Sequence, residues 1–343
     1  MIEEILSHYL PPIEAEMRRV LDLSGDHLTG HYGMLRYHMG WLDPQLQPAQ
    51  VNSGKRVRPV LVLLACEAAG APADQALPAA AAVELLHNFS LIHDDIEDDS
   101  PTRRHRPTVW ALWGRPQAIN AGDAMFTLAR TALAGLPARG LSAERTLEAF
   151  HVFDETCLRL TEGQYLDMSF ENRMDVTVDE YLTMIAGKTA ALVGASLELG
   201  ALVGAAEAGT RQQLAEFGRH LGLAFQIQDD ILGIWGDEAL TGKSAESDIL
   251  TRKKSLPVLY ALQNPEIGPA LARRYTQSMD IADIPEVLEL LLRAGARQYA
   301  EQMAQQATDL SLEALRASGV LSEGNQAGQA LLELAKALLD RRQ

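Results

Sequence analysis

The chain has 343 residues, is 47% hydrophobic and carries a formal net charge of -16 at pH 7. This length and apolar share allow a sizeable core, whereas the acidic balance argues against a general nucleic-acid binder, which needs a basic face. The two cysteines, Cys66 and Cys157, lie in apolar helical patterns and are expected to be buried thiols of a cytoplasmic protein. The stretch MIEEILSHYLPPIEAEMRRV lacks the basic and apolar regions of a signal peptide, so none is expected.

Apolar residues recur at helical spacing along most of the chain, and alternating β-branched runs are absent, which predicts an all-α fold. Thr177 is expected to cap the helix that begins at Val178, with Glu180 as its capping-box partner. The helices are predicted over Ile2–Leu23, Arg58–Ala69, Gln75–Asp98, Gln117–Ala134, Ala143–Met168, Val178–Ala205, Thr210–Trp235, Leu256–Gln263, Ile284–Ala317 and Gly328–Arg341.

No Gly/Ser-rich or Pro-rich linker divides the chain, which predicts one domain over residues 1–343. We expect a single-domain bundle of long helices around a central cavity. The most apolar long window, Gly187–Ala206, contains Lys188 and Glu198, so an interior helix is expected there and no transmembrane segment. Loops are predicted over Ser24–Gly54, Ser100–Pro116 and Gly236–Ser255.

The predicted helix that ends at Asp98 runs into LIHDDIEDDSPTRRHRPT, an acidic run followed by arginines. Asp94 and Asp98 are one helical turn apart and share a face, whereas Asp95 is rotated away from both. Stacked carboxylates repel each other unless a cation lies between them, and Mg²⁺ prefers oxygen ligands completed by water and phosphate. The spacing therefore predicts a Mg²⁺–phosphate site at the end of this helix, with a solvated acidic helix end as the alternative.

A second acidic pair, Asp229 and Asp230, follows a similar apolar run in AFQIQDD. Gln226 lies within one turn of both aspartates on an otherwise apolar helix, where polar side chains are costly to bury unless they bind something. Two such helices facing each other across a bundle would hold several metal ions and a diphosphate.

Short basic segments accompany these helices and are candidates for binding diphosphate. His87 lies two turns before Asp94 on the same face, which suggests a phosphate contact, although a buried structural histidine is the alternative. Taken singly, Arg103 and Arg104 also fit side chains that offset the nearby acids, Lys188 fits a snorkelling side chain, and the others fit exposed ones. Their order around two acidic helices favours one shared site. They are Lys55, Arg56 and Arg58; Arg103 and Arg104; Lys188, beside Thr189; and Lys243, Lys253 and Lys254.

The ordered series of motifs resembles the trans-prenyltransferases, the class I isoprenyl diphosphate synthases, and above all their short-chain geranylgeranyl members. The series is GKRVRP, VELLHNFSLIHDDIED, RR, AGDAMF, EGQYLD, GKTAAL, FQIQDDIL, TGK and DILTRKKSLP. The resemblance implies an all-α bundle around a deep cavity, usually a homodimer. It implies Mg²⁺-dependent head-to-tail condensation of isopentenyl diphosphate with dimethylallyl, geranyl or farnesyl diphosphate.

The resemblance also assigns roles to individual residues of this chain. Asp94 and Asp98 would hold two Mg²⁺ ions and Asp229 a third. The allylic diphosphate would be bound by Arg103, Lys188, Lys243 and Lys253, with Thr189 and Gln226 lining that site. Isopentenyl diphosphate would be bound by Lys55, Arg58, His87 and Arg104. The catalytic set is accordingly Asp94, Asp98, Arg103, Lys188, Asp229 and Lys243.

Three positions depart from the family pattern. The second acidic motif of the family often ends in a fifth-position aspartate, and this chain has Gly233 there. The family sequence RRG is replaced by Arg-Arg-His, which puts His105 where glycine's conformational freedom is common. Trp110 occupies a position at which a histidine is common.

Residues one turn or more before Asp94 are expected to form the floor on which the growing isoprenoid tail ends. Phe89 and Ser90 lie there, and an aromatic ring would limit the tail. Phe89 with an uninterrupted DDIED resembles the short-chain synthases of the geranylgeranyl kind, which implies a C20 product with C15 and C25 as neighbours; packing of Phe89 in the core is the alternative. Two other activities are alternatives: a class I terpene cyclase, which consumes no isopentenyl diphosphate, and a non-catalytic partner subunit of a heteromeric synthase. The residues Lys55, Arg58, His87 and Arg104 favour a synthase over a cyclase, because they suit a second diphosphate. The presence of both acidic motifs favours a synthase over a partner subunit.

Overall fold

The computed structural model describes residues 2–23, 26–51, 54–236 and 247–340. Helices make up most of these residues, and the predicted all-α fold is confirmed. Within these ranges the strands are β1 (Thr102–Arg103) and β2 (Arg106–Pro107), which pair as a hairpin. The helices are α1 (Ile2–Leu21), α2 (Thr29–His38), α3 (Val57–Ala68), α4 (Leu77–Glu97), α5 (Val109–Trp113), α6 (Arg115–Leu133), α7 (Ala143–Phe170), α8 (Val178–Ile185), α9 (Ala191–Val203), α10 (Ala208–Trp235), α11 (Ser247–Leu250), α12 (Leu256–Leu262), α13 (Gly268–Tyr275), α14 (Ile284–Arg293), α15 (Ala296–Ala317) and α16 (Gln326–Leu339).

The chain forms two compact units, each assembled from three segments. The expected single domain over residues 1–343 stays a prediction. Unit 1 consists of Met1–Asp154, Ser196–Arg211 and Ser322–Leu331, and unit 2 consists of Glu155–Ala195, Gln212–Leu321 and Leu332–Gln343.

The central helix of unit 1 is α4, which packs against α1, α3 and α6. Every side chain from Leu77 to Leu86 is buried, because the run LPAAAAVELL presents apolar residues on all sides. Burial of each leucine contributes about 1.5–3 kcal/mol to stability. Past Leu86 the helix becomes polar, so its buried half anchors a C-terminal half that carries the first acidic motif.

The central helix of unit 2 is α12, whose two faces belong to different apolar clusters. Val258 packs in a cluster with Ile234 of α10 and Ile249 of α11. Leu259, on another face, packs in a second cluster with Tyr181 of α8. This short helix therefore fixes the helices that carry the second acidic motif and its neighbours.

The structure corrects several predicted boundaries. The predicted helix Val178–Ala205 is interrupted by a π-helical segment at Ala186–Ala190, and the predicted helix Ile284–Ala317 is divided at Gly295, whose φ is 72°. The predicted loop Ser24–Gly54 contains α2, where glycines lower intrinsic helix propensity but tertiary packing prevails. Helices α5, α11 and α13 were also missed.

The predicted capping box at the start of α8 is confirmed. The backbone N–H of Glu180 donates to Thr177 Oγ1 at 3.2 Å, and the Thr177 N–H donates to Glu180 Oε2 at 2.8 Å. These reciprocal bonds satisfy two donors that the first turn of a helix leaves unpaired.

One helical stretch, Val178–Val203, is long and apolar enough to cross a membrane, and 67% of its most apolar window is buried inside the protein. A buried core helix of a globular protein meets the same criteria of length and composition.

Candidate active site

The first acidic motif lies at the C-terminal end of α4, in unit 1. Arg103 bridges its first two aspartates: Nη2 donates to Asp94 Oδ2 at 2.8 Å and Nε donates to Asp95 Oδ1 at 2.6 Å. The Asp95 side chain is buried, and this burial raises its pKa to about 6 despite the nearby guanidinium. Asp98 is exposed and ends the helix, with its N–H donating to Asp94 O at 2.9 Å. The arginine predicted to bind diphosphate thus already neutralises the acidic face.

The β1–β2 hairpin carries Arg103 and Arg104 back toward α4. Arg103 pairs with Arg106, and the intervening Arg104 and His105 have φ angles of 51° and 61°. Two positive φ angles in a two-residue hairpin loop define a type I′ turn, which favours glycine. His105 therefore adopts the glycine-like conformation of the family sequence, at the cost of backbone strain.

His105→Gly is expected to give a protein about 1 kcal/mol more stable than His105→Ala, because only glycine lacks the strained Cβ at positive φ. Both variants remove the imidazole, so the comparison isolates the effect of the backbone conformation on stability. Urea denaturation of the two proteins measures the difference. Equal stabilities would show that the turn is relaxed at this position.

Trp110 has a structural role that its sequence position does not reveal. Its Nε1 donates to Ser100 O at 2.9 Å, and Thr108 Oγ1 donates to the same carbonyl at 3.0 Å. The two bonds tie the loop after α4 to the start of α5. Trp110 thus stabilises the segment that leads from the acidic motif into the hairpin.

A basic pocket lies beside the hairpin in unit 1. It is lined in part by His38, Arg103 and Arg104, and on α4 and α3 nearby, Arg58 Nη1 lies 3.4 Å from His87 Nε2. Burial, followed by the charge of Arg58 and Arg104, lowers the pKa of His87 well below its usual range, so the ring is neutral at pH 7. Guanidinium groups therefore carry the positive charge, which suits a diphosphate.

The remaining residues predicted for this pocket lie at its edge. Lys55 is exposed and follows Gly54, whose missing Cβ would lie 2.7 Å from Arg104 Nη2. The loop before α3 is thus in contact with the hairpin arginine. The buried Glu84 lies 3.7 Å from Arg56 Nη1 and accepts a hydrogen bond from Asn88, and it offsets part of the basic charge.

The pocket makes stability depend on pH through His38. Burial and the nearby Arg103 lower its pKa from 6.5 to about 3. A depressed histidine pKa contributes stability that is present above pH 6.5 and lost as the pH falls toward 3. Between pH 7 and 5 this loss is about 2 kcal/mol.

His38→Asn is therefore expected to lose about 2 kcal/mol less stability than the wild type between pH 7 and 5. The contribution of Asp95 to the pH dependence of stability has the opposite sign. Its raised pKa gives stability that is present at low pH and lost as the pH rises through about 6. Asp95→Asn should accordingly lose about 1 kcal/mol more than the wild type over the same interval. Urea denaturation at both pH values tests the two signs together.

The second acidic motif lies on α10, in unit 2, and its two aspartates differ in environment. Asp230 is fully buried and accepts hydrogen bonds from the Tyr181 hydroxyl, the Leu256 N–H at 3.2 Å and Gln226 Nε2 at 3.3 Å. Burial raises its pKa, and these donors oppose the shift. Asp229 is half-buried. The carboxylate of Asp230 therefore joins three helices, whereas Asp229 is the one with access to a ligand.

Thr189 and Gln226, both predicted to line the allylic site, are in direct contact. Thr189 Oγ1 donates to Gln226 Oε1 at 3.0 Å, which extends the chain of bonds that reaches Asp230. The π-helical segment thereby holds the second acidic motif through side chains.

Lys188 lies in the π-helical segment, and its Nζ pairs with Asp167 Oδ2 of α7. The backbones are close here: a Cβ at Gly163 would lie 2.8 Å from Lys188 Cα. Asp167 is part of the EGQYLD motif, but it was not among the predicted site residues. Its position one turn after Gly163 is the sequence signal that could have identified it.

The basic residues after α11 have different partners. Lys253 Nζ lies 3.8 Å from Asp248 Oδ2. Partial burial opposes protonation of Lys253, but Asp230, Asp248 and Asp167 outweigh it and raise its pKa. Lys254 Nζ donates to Phe170 O at 2.8 Å and so caps the end of α7. Lys243 lies outside the described residues.

Within the described ranges, no three His, Cys, Asp or Glu side chains converge on a ready-made metal cluster. Mg²⁺ does not require one, because it keeps several waters and uses one or two carboxylates plus substrate phosphates. In unit 1, the carboxylates of Asp94 and Asp98 are hard oxygen donors at the end of one helix. Donors of this kind fit Mg²⁺ better than a soft metal.

A separate cavity of about 220 Å³ opens between α10 and α15 in unit 2. Trp235 and Arg297 are among its lining residues, and it contains none of the predicted site residues. This cavity is therefore separate from the acidic and basic groups described above.

Comparison with known proteins identifies the family. The polyprenyl synthetase family model matches residues 40–291. A (2E,6E)-farnesyl diphosphate synthase of Mycobacterium bovis is 39% identical over 98% of this chain and 92% of the relative. A geranylgeranyl diphosphate synthase of Mycobacterium tuberculosis is 42% identical over 82% of this chain and 80% of the relative. The solved polyprenyl synthetase of Streptomyces coelicolor A3(2) superposes with a TM-score of 0.89 at 35% identity, covering 99% of this chain and 100% of its own.

These matches confirm the resemblance predicted from the ordered motifs. The chain belongs to the polyprenyl synthetase family and is a prenyltransferase with the all-α class I isoprenoid synthase fold, a synthase of trans-prenyl diphosphates.

Proposed function

We propose that the protein condenses isopentenyl diphosphate with an allylic diphosphate, head to tail and with Mg²⁺, to give a short-chain all-trans product. The observation that carries this proposal is that two candidate diphosphate-binding sites lie near each other in unit 1. The acidic end of α4 bound by Arg103 suits a metal-bridged diphosphate. The pocket of guanidinium groups around the neutral His87 suits a second diphosphate without metal. A terpene cyclase needs only the first.

Each group has a task in this reaction. Asp94 and Asp98 of unit 1 and Asp229 of unit 2 are the residues that would hold Mg²⁺, which would supply neutralisation of charge on the departing diphosphate. The family resemblance assigns binding of that diphosphate to Arg103 of unit 1, to Lys188 and Lys253 of unit 2, and to Lys243. The allylic C–O bond breaks, the isopentenyl double bond attacks the allylic cation, and a proton passes to the released diphosphate. Lys55, Arg58, His87 and Arg104 hold the isopentenyl diphosphate in line for that attack.

The proposed product is C20 geranylgeranyl diphosphate. Phe89 is half-buried on α4, with its ring 5.2 Å from that of Phe126 on α6 and 4.8 Å from that of His93. A pair of aromatic rings is a rigid floor for a growing chain. Ser90 is bound to its own helix through His87 O and adds little bulk. The farnesyl diphosphate synthase relative supports C15 as the second candidate.

Phe89→Ala is expected to lengthen the major product by one or two isoprene units, because the cavity left by the ring admits more tail. Chromatography of the dephosphorylated products measures the length. Phe150→Ala is the matched control, since this ring lies on α7 beneath Arg130 and should leave product length unchanged. An unchanged distribution in Phe89→Ala would place the floor elsewhere.

The proposed activity is tested with the purified chain, Mg²⁺ and labelled isopentenyl diphosphate, given dimethylallyl, geranyl or farnesyl diphosphate in turn. Incorporation of label supports the synthase, and the longest major product gives the chain length. Release of diphosphate with a hydrocarbon product, but without incorporation, would identify a cyclase. No turnover with any primer would favour a partner subunit.

We also propose a cytoplasmic homodimer. Light scattering during size-exclusion chromatography tests the assembly, and a monomer that is fully active would contradict it.

A further inference from the structure

The fifth position of the second acidic motif, Gly233, is occupied in space by another residue. A Cβ at Gly233 would lie 2.7 Å from Asp248 Cγ and still closer to Asp248 Oδ2. No real Cβ tolerates such an approach, so the Asp248 carboxylate fills the place of a side chain at position 233. Asp248 can therefore pack against α10 in this position only because residue 233 is a glycine.

The position of this carboxylate follows from helix geometry. Gly233 is one turn after Asp229 on α10, and residues at this spacing share a face with Cβ atoms about 5–6 Å apart. The Asp248 carboxylate thus continues the face of Asp229, where a fifth-position aspartate would begin. Ile249, next to Asp248, is fully buried in the same apolar cluster as Ile234 and fixes α11 against α10.

The surroundings of Asp248 include a cation that can orient it. Lys253 Nζ lies 3.8 Å from its Oδ2. Tyr275 is 4% exposed, and its hydroxyl has no hydrogen-bond partner within the described part of the chain. Burial, and after it the charge of Asp248, raises the pKa of Tyr275. Lys253 is therefore the donor that pairs with the Asp248 carboxylate.

We propose that Asp248 supplies, from a neighbouring helix, the carboxylate that the second acidic motif lacks at Gly233, so that Asp229 and Asp248 together face the metal-bound diphosphate. This inference rests on the proposed Mg²⁺-dependent function. Lys253 orients the carboxylate. The rival role for Asp248 is structural, limited to holding Lys253 in place.

The test measures metal binding without turnover. The full chain is titrated with Mg²⁺ in the presence of excess inorganic diphosphate, and the Mg²⁺ concentration that gives half of the rise in Tm is recorded. Asp248→Asn is expected to raise this concentration about ten- to a hundredfold, as is Asp229→Asn. The double variant should be little worse than either single one, because both residues serve one metal.

Two further variants separate the proposal from a folding effect. Asp248→Ala combined with Gly233→Asp relocates the carboxylate and should restore the half-maximal Mg²⁺ concentration to within a few-fold of wild type. Asp283→Asn is the matched control: Asp283 is 23% exposed, close to the 20% of Asp248, and pairs with Arg274 at 3.0 Å. It should leave the Mg²⁺ response unchanged.

An unchanged Mg²⁺ response in Asp248→Asn, together with a weakened one in Asp229→Asn, would overturn the inference and leave Asp248 as a partner of Lys253 alone. Failure of the proposed function looks different. In that case the wild type itself shows no Mg²⁺-dependent rise in Tm with diphosphate and incorporates no labelled isopentenyl diphosphate.

Discussion

Asp94→Asn is expected to lower kcat/KM for prenyl condensation by about a hundred- to a thousandfold. The substitution keeps the size of the side chain and removes one anionic oxygen donor from the first acidic motif. Mg²⁺ is a hard cation that depends on charged oxygen ligands, so the allylic diphosphate would lose charge stabilisation as it departs. Incorporation of labelled isopentenyl diphosphate at several Mg²⁺ concentrations measures the effect.

A second consequence concerns Arg103, which bridges Asp94 and Asp95. An asparagine at position 94 leaves the guanidinium with one anionic partner, which favours its release toward a diphosphate. Loss of the metal ligand therefore lowers kcat/KM, whereas release of Arg103 toward the diphosphate raises it. We expect the loss of metal to dominate, because a bound Mg²⁺ supplies several kcal/mol of transition-state stabilisation and a hydrogen bond to a charged group about 1.5–3 kcal/mol.

The control for this prediction lies in the same acidic run. Asp99 pairs with Arg115, its side chain is 70% exposed, and Asp99→Asn should leave kcat/KM within about twofold of wild type. Near-wild-type activity in Asp94→Asn would show that Asp94 serves only to hold Arg103.

The parts of the site that follow from local geometry could be predicted from the sequence. The one-turn spacing of Asp94 and Asp98 places them at the end of one helix wherever that helix packs, and the structure shows both on α4 or at its cap. The capping box at Thr177 is equally local, since its bonds join residues within one turn. Such features depend on helix periodicity, which the sequence displays directly.

The parts that depend on distant contacts could not be predicted. That Arg103 lies within reach of the acidic motif follows from its sequence position, but its bridge to both Asp94 and Asp95 depends on a type I′ turn. Neither Arg104 nor His105 is a typical residue for that turn. Asp248 could not be linked to Gly233 because the space that a glycine leaves has no signature in the sequence. The π-helical segment at Lys188 was likewise hidden, since GKTAAL has a normal helical composition.

The two aspartates of the second acidic motif illustrate the same limit. Helix periodicity alone does not distinguish the adjacent Asp229 and Asp230 on an otherwise apolar helix, and only the family resemblance singles out Asp229. The structure separates them, because Tyr181 and Leu256 approach Asp230 from segments 49 and 26 residues away. The two chain neighbours thus have different environments: Asp229 is half-buried, whereas the fully buried Asp230 joins helices.

Asp230→Ala is accordingly expected to lower the free energy of unfolding by about 3–5 kcal/mol. The alanine leaves the Tyr181 hydroxyl and the Leu256 N–H buried without an acceptor, and each such group costs about 1–3 kcal/mol. The apolar contacts of alanine cannot compensate, because the carboxylate volume is left empty. Urea denaturation followed by circular dichroism measures the loss.

Asp229→Ala is the matched control on the adjacent residue and should change stability by less than about 1 kcal/mol while weakening the Mg²⁺ response. Tyr181→Phe should cost about 1–3 kcal/mol in the wild type and much less in the Asp230→Ala background, because the bond between the two groups is already absent. Equal losses in the two backgrounds would show that Tyr181 stabilises unit 2 through its ring packing, and that Asp230 is held by Leu256 and Gln226 instead.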